Sequence, residues 1–124
     1  MDVKSREEII KFAQKLNSTN LSPLRSGNIS LKAQNNNEEG FLITPSGKKY
    51  DSLKADDIVF VSLEGRYDER GLQPSSEWRF HKDIYLKKAD AKAVVHAHSP
   101  HATAVSAHNK DIPAFHYMIA LAGG

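Results

Sequence analysis

Three features of this chain predict a layered α/β architecture containing an antiparallel or mixed sheet. Apolar residues recur at helical spacing near the N-terminus. Two apolar runs then flank a polar turn, which reads as a hairpin. Further strand-like and helix-like segments mix along the rest of the chain.

The elements follow in order. Ser5-Arg6-Glu7-Glu8 matches a capping box, with Ser5 as the N-cap and Glu8 reaching back. Ile9, Phe12, Ala13 and Leu16 then share one helical face, and the helix is expected to end near Asn17. Residues 18–27 are polar, contain Pro23 and read as a loop. Ile29, Leu31 and Ala33 alternate with Ser30 and Lys32, the pattern of a half-buried strand. Residues 35–40 turn the chain into a second strand, Phe41-Leu42-Ile43, which Thr44-Pro45-Ser46-Gly47 breaks. Ile58-Val59-Phe60-Val61 is a third strand, closed by the turn Glu64-Gly65. Pro74-Ser75-Ser76 opens a helix expected from about Ser76 to Lys88, with the serines as caps. Ala93 to His98 is a fourth strand. Ser99 caps a helix with Pro100 at its first position, running to about His108. Residues 111–115 are extended, and Met118 to Ala122 begins another helix. No repeat, low-complexity tract or linker interrupts the chain, so residues 1–124 read as a single domain.

Composition narrows the function. Forty per cent of the residues are apolar, too many for a disordered chain. No apolar run approaches the roughly 20 residues that span a bilayer, and the charged segment Met1 to Glu8 is no signal peptide, so no membrane partner and a cytoplasmic setting are expected. Cysteine is absent, which excludes disulfides and thiolate chemistry. Seventeen Lys and Arg against fifteen Asp and Glu give a net charge of +2 with the signs interspersed. That is no nucleic-acid stripe, but it suits a small anionic substrate. All six histidines (His81, His96, His98, His101, His108, His116) fall between residues 81 and 116.

His96-Ala97-His98 carries the sharpest chemical signal. Residues i and i+2 of a strand point to the same face, about 6.6–6.8 Å apart along the chain, and two imidazoles so placed can converge on one ion. Two surface or hydrogen-bonded histidines would give the same pattern; the position at a strand's C-terminal end favours the metal. A catalytic zinc site usually has three protein ligands, and His101, His108 and His116 offer no compelling third. Pro74-Ser75-Ser76-Glu77 pairs a helix start and two hydroxyls, which suit a phosphate, with a carboxylate placed as an acid or base. Ordinary helix capping explains the same residues. Thr44-Pro45-Ser46-Gly47 and Ser26-Gly27-Asn28 are small polar turns that can present amides and hydroxyls to an anion, as many turns do. Tyr117 reads from its context as a packing residue.

Taken together, these motifs resemble the class II aldolase/adducin family. Ser26-Gly27-Asn28-Ile29-Ser30 is similar to its Gly-Asn-x-Ser loop, and Phe41 to Gly47 to its phosphate loop. Pro74 to His81 and Ala93 to His98 resemble its most specific signatures. The stretch Ile112 to Ala120 is similar to members acting on L-fuculose 1-phosphate. The resemblance implies an α/β/α sandwich around a mostly antiparallel mixed sheet, with the C-terminal part of the family fold missing, and a homo-oligomer, a four-fold tetramer. It implies Zn2+ as cofactor, with Glu77, His96 and His98 as the metal set and a third family histidine downstream of this chain. Glu77 is then the acid/base at the substrate's C3, and Gly27, Asn28, Ser46, Gly47, Ser75 and Ser76 hold the phosphate and the enediolate oxygens. Tyr117 is then a catalytic proton donor to the aldehyde oxygen, lent to a neighbouring subunit. The implied reaction cleaves a phosphorylated sugar, L-fuculose 1-phosphate, to dihydroxyacetone phosphate and L-lactaldehyde. Pentulose-phosphate 4-epimerases, methylthioribulose-phosphate dehydratases and non-catalytic adducin-like modules are the alternatives within the same resemblance.

Overall fold

The computed structural model describes residues 3–123. Met1 and Asp2 of the charged N-terminal segment, and the Gly124 half of the closing Gly-Gly pair, lie outside the described residues. Four strands, β1 (Asn28–Asn35), β2 (Glu38–Ile43), β3 (Val59–Ser62) and β4 (Ala93–His96), form a sheet of order β3-β2-β1-β4. Every neighbouring pair is antiparallel. Helices α1 (Val3–Ser18), α2 (Trp78–Lys87) and α3 (Pro100–Ala107) complete the regular structure, with 3-10 turns at Tyr50–Ser52, Ala55–Asp57 and Tyr117–Ala122. Among the described residues, no helix is long and apolar enough to cross a membrane.

The sheet is covered on both faces, as the family resemblance implied. Ile9, Ala13 and Leu16 of α1 pack with Ile29 and Leu42 on one face. Trp78 and Tyr85 of α2 pack with Phe41, Ile43 and Val61 on the other. Because successive strand residues point to opposite faces, slipping β1 by one residue would exchange Ile29 and Leu31 for Asn28 and Ser30 under α1. Each apolar side chain so displaced is worth about 1.5–3 kcal/mol of burial, so the register is strongly specified. The register matters to function, because it sets Asn28 opposite His96.

The structure corrects several sequence expectations. Helix α1 already includes Val3, so Ser5 lies inside it rather than capping it; nothing at Val3 or Lys4 breaks helical geometry. The buried face is Arg6, Ile9, Ala13 and Leu16, while Phe12 sits at the flank and is 44% exposed. Arg6 tolerates burial because its guanidinium donates to the carbonyls of Ala55 (2.8 Å) and Ile58 (2.5 Å). Strand β1 is not half-buried at its start: Asn28 and Ser30 are covered by the α2 layer. The hairpin turn shrinks to Asn36 and Asn37, both at positive φ (49° and 65°), the twist that matches flanking antiparallel strands.

Two further corrections bear on the site. Helix α2 begins at Trp78, with Glu77 at the capping position and making no side-chain cap bond, so Ser75 and Ser76 lie in the turn before it, where the Ser75 carbonyl accepts the Trp78 N–H (3.0 Å). Strand β4 stops at His96 because its partner β1 begins at Asn28, which faces His96, and no strand remains to pair with Ala97 and His98. The helix from Pro100 is present as expected, and Met118 to Ala122 is a 3-10 turn rather than an α-helix.

Candidate active site

One end of the sheet carries the predicted residues. Loop 19–27 enters β1, the Thr44–Gly47 turn leaves β2, the Pro74–Glu77 turn enters α2, and His98 follows β4. The two phosphate-loop candidates are tied to each other by backbone: Pro45 and Pro74 form an isolated antiparallel bridge, Ser46 N–H donates to the Gln73 carbonyl (2.9 Å), and Ser75 N–H donates to the Thr44 carbonyl (3.0 Å). Two segments well separated in sequence thereby become one rigid rim.

That rim and the loop before β1 enclose a cavity of about 240 Å3. Its wall includes Gly27, Asn28, Ser46, Gly47, Ser75, Ser76, Glu77 and His98. Among the described residues, the backbone N–H groups of Gly47 and Ser76 have no hydrogen-bond partner within the chain. Open amides, two hydroxyls and the start of α2 together suit an anion. Arg25 and Lys48 also line the cavity; Arg25 donates to the Gly47 carbonyl (2.8 Å), and Lys48 pairs with Asp57 (2.7 Å).

Gly27 is required by this packing. Its φ is +80°, and a Cβ there would lie 2.5 Å from the His96 carbonyl oxygen and 2.8 Å from Ser22 Oγ. The same Ser22 Oγ accepts the His98 backbone N–H (2.9 Å), and Tyr50 donates its hydroxyl to the Gly27 carbonyl. Burial raises the Tyr50 phenol above its ordinary value, so at neutral pH it remains a donor.

Glu77, His96 and His98 converge at the cavity edge. Their ligand atoms all lie within 4.8 Å of one another. The Nε2 atoms of His96 and His98 are 2.8 Å apart, and Glu77 Oε2 is 3.4 Å from His96 Nε2. A tetrahedral zinc ion with bonds of about 2.0–2.1 Å spaces its ligand atoms by about 3.4 Å. The donor set fits a divalent metal in chemistry, and Glu77 and His96 match that spacing, while His96 and His98 stand closer, at hydrogen-bond distance, and would part to admit the ion. His101, His108 and His116 are exposed and join no such group among the described residues. Tyr117 is 79% exposed, stacks on His116 and stands outside the cavity wall.

Sequence reasoning assigned Asn28 to the phosphate and enediolate oxygens and overlooked Ser30, His81 and Tyr85 behind Glu77. Asn28 Nδ2 donates to Glu77 Oε2 (2.6 Å), and Asn28 Oδ1 meets His81 Nε2. His81 Nδ1 meets Ser30 Oγ (2.7 Å), which meets the Tyr85 hydroxyl (2.8 Å). Burial, helped by the neighbouring His96, pushes His81 down from 6.5 to about 4, so it is neutral at pH 7. The signal was present: His81 and Tyr85 are spaced i, i+4 on the inward face of α2, and Glu77 at its cap lies four residues before His81.

Comparison with known proteins decides the family. Residues 7–124 match the family described as Class II Aldolase and Adducin N-terminal domain. The chain belongs to that family. It is 46% identical over 121 residues to the L-fuculose phosphate aldolase of Escherichia coli (strain K12), covering 98% of this chain and 54% of that protein. It is 44% identical over 120 residues to the 5-methylthioribulose-1-phosphate/5-deoxyribulose-1-phosphate aldolase of Rhodospirillum rubrum, covering 96% and 52%. Among solved structures, an L-fuculose 1-phosphate aldolase superposes with a TM-score of 0.85 at 35% identity, covering 97% of this chain and 56% of that one. The L-fuculose-1-phosphate aldolase of Thermus thermophilus superposes with a TM-score of 0.70 at 30% identity, covering 86% and 52%. The chain thus spans about half the length of the curated relatives it matches.

Proposed function

We propose that this chain carries the acid/base, the phosphate cradle and part of the metal site of a zinc-dependent aldolase that cleaves L-fuculose 1-phosphate to dihydroxyacetone phosphate and L-lactaldehyde. The observation that carries this reading is the convergence of Glu77, His96 and His98 on the edge of a cavity walled by Ser46, Gly47, Ser75 and Ser76. The rim binds the phosphate through its hydroxyls and open amides and so fixes the sugar's orientation. Breaking the C3–C4 bond releases the aldehyde and leaves negative charge on the three-carbon fragment. Zinc held by His96, His98 and Glu77 supplies Lewis acidity toward that charge when bound. Glu77 delivers the proton to C3. Tyr117, exposed and outside this cavity, relays the C4 hydroxyl proton to solvent from a neighbouring copy of a tetramer as the aldehyde forms, which balances the proton that Glu77 takes from solvent and delivers to C3.

The near-equal identity to a 5-methylthioribulose-1-phosphate/5-deoxyribulose-1-phosphate aldolase favours a second reading, the same cleavage on a different ketose 1-phosphate. Release of dihydroxyacetone phosphate from L-fuculose 1-phosphate, 5-methylthioribulose 1-phosphate and 5-deoxyribulose 1-phosphate, with Zn2+ supplied, separates them. The highest kcat/KM on L-fuculose 1-phosphate is expected. A preference for either pentulose phosphate selects the second reading, and no cleavage of any of the three refutes both.

A further inference from the structure

The hydrogen bonds behind Glu77 have a direction. A carboxylate only accepts, so the Asn28 amide must turn its NH2 toward Glu77 Oε2, 2.6 Å away. Asn28 Oδ1 then faces His81, which must carry its proton on Nε2. A neutral imidazole has one N–H, so Nδ1 is an acceptor and takes the Ser30 hydroxyl at 2.7 Å. The Ser30 oxygen in turn takes the Tyr85 hydroxyl at 2.8 Å. Every hydrogen in the series points toward Glu77.

We propose that His81, backed by Ser30 and Tyr85, is a positioning residue that locks the Asn28 amide with its NH2 toward the Glu77 carboxylate, and so holds the acid/base in place. The four residues behind Glu77 are buried, with Asn28 the most exposed at 3%, so no water competes for these bonds. Among the described residues no buried side-chain polar atom is left unpaired. Turning the Asn28 amide over would set its oxygen against the carboxylate and its NH2 against a ring N–H, two repulsive contacts at once. The sheet supplies the frame: Asn28 and Ser30 are neighbours on one face of β1, and His81 and Tyr85 are neighbours on one face of α2. Phe80 stacks on the His81 ring at 4.6 Å and meets His96 edge-on at 5.1 Å, so the series is packed against the histidine pair as well.

The catalytic side of this inference rests on the aldolase reading; the hydrogen-bond direction does not. The first measurement therefore uses the unmodified chain. Long-range 1H–15N spectra at pH 7 are expected to give His81 as the neutral Nε2–H tautomer. The Nδ1–H tautomer, or a charged ring, overturns the proposal whether or not the protein cleaves a sugar phosphate.

The second measurement compares His81→Gln, whose amide NH2 reaches the place of Nε2–H, with His81→Asn, whose shorter amide does not. On the cleaved ketose 1-phosphate, His81→Asn is expected to lower kcat by about 10–100-fold with KM within about threefold, the usual size of an outer-partner loss, and His81→Gln to recover most of it. Equal losses in both variants, or a change in KM alone, overturn the positioning role. Absence of cleavage by the unmodified protein defeats the aldolase reading instead, and the tautomer still decides the series.

Discussion

His96 Nε2 and His98 Nε2 lie 2.8 Å apart, with Glu77 Oε2 3.4 Å from the first. Two imidazole nitrogens at that distance share one hydrogen, and a small parting to about 3.4 Å would let them share a tetrahedral metal ion instead. The His98 backbone is pinned to Ser22 Oγ, so the pair is set by the fold rather than by strand geometry alone. Zn2+ titration monitored by calorimetry is expected to report one site. A fully ligated structural zinc is worth about 10–16 kcal/mol, so losing one of several ligands should cost on the order of 3 kcal/mol, roughly 100-fold in affinity, for His96→Ala or His98→Ala. His101→Ala and His108→Ala should leave affinity unchanged, since both side chains are exposed and outside the group.

Gly27 and Gly47 both have positive φ, but only Gly27 is crowded. Gly47→Ala meets open space and should lose about 1–2 kcal/mol from backbone conformation alone. Gly27→Ala adds the collision with the His96 carbonyl, and overpacking of this kind costs about 1–3 kcal/mol more. Thermal melts should therefore show a clearly larger drop for Gly27→Ala. Zinc affinity should fall with it, because the displaced carbonyl belongs to a ligand residue.

His81 makes stability depend on pH. Burial lowers it from 6.5 to about 4, so between those values the unfolded chain takes up a proton that the folded chain refuses. The stability is fully present above 6.5 and is lost as pH falls toward 4, by roughly 3 kcal/mol at most. Urea unfolding at pH 7 and pH 4.5 should show this loss, and His81→Gln should show a smaller one.

The two serines lie in the turn before α2 and in the cavity wall. If they hold the phosphate, Ser75→Ala and Ser76→Ala should each remove a hydrogen bond to a charged group, worth about 1.5–3 kcal/mol, and raise KM roughly 10–100-fold. Glu77→Ala should instead lower kcat by about 10²–10⁴-fold with the smaller effect on KM. Steady-state kinetics with the cleaved ketose 1-phosphate separates the two classes.

Much of the site is legible in the sequence because its residues sit in short motifs whose chemistry is local. The His-x-His pair, the serines before Glu77 and the two glycine turns are each read within a few residues. Where such readings fail, the cause is also local. The alternation in β1 suggests one wet face because a strand pattern reports only its own polarity; Ser30 and Asn28 are buried because His81 and Tyr85 satisfy or cover them. Spacing puts Phe12 on the buried face of α1, but that face is completed by Arg6, whose burial depends on the distant carbonyls of Ala55 and Ile58.

Element order, the antiparallel hairpin, the His96–His98 pair and the rim candidates were carried by periodicity and motif in the linear chain, and the place of Glu77 in the metal set by the family resemblance. Their convergence was not. The bridge between Pro45 and Pro74, the register that sets Asn28 against His96, and the one-way series from Tyr85 to Glu77 join segments far apart in the chain. Spacing along a chain reports which side chains share a face; only packing two faces together decides which side chains meet, and which hydrogen each one points at the site.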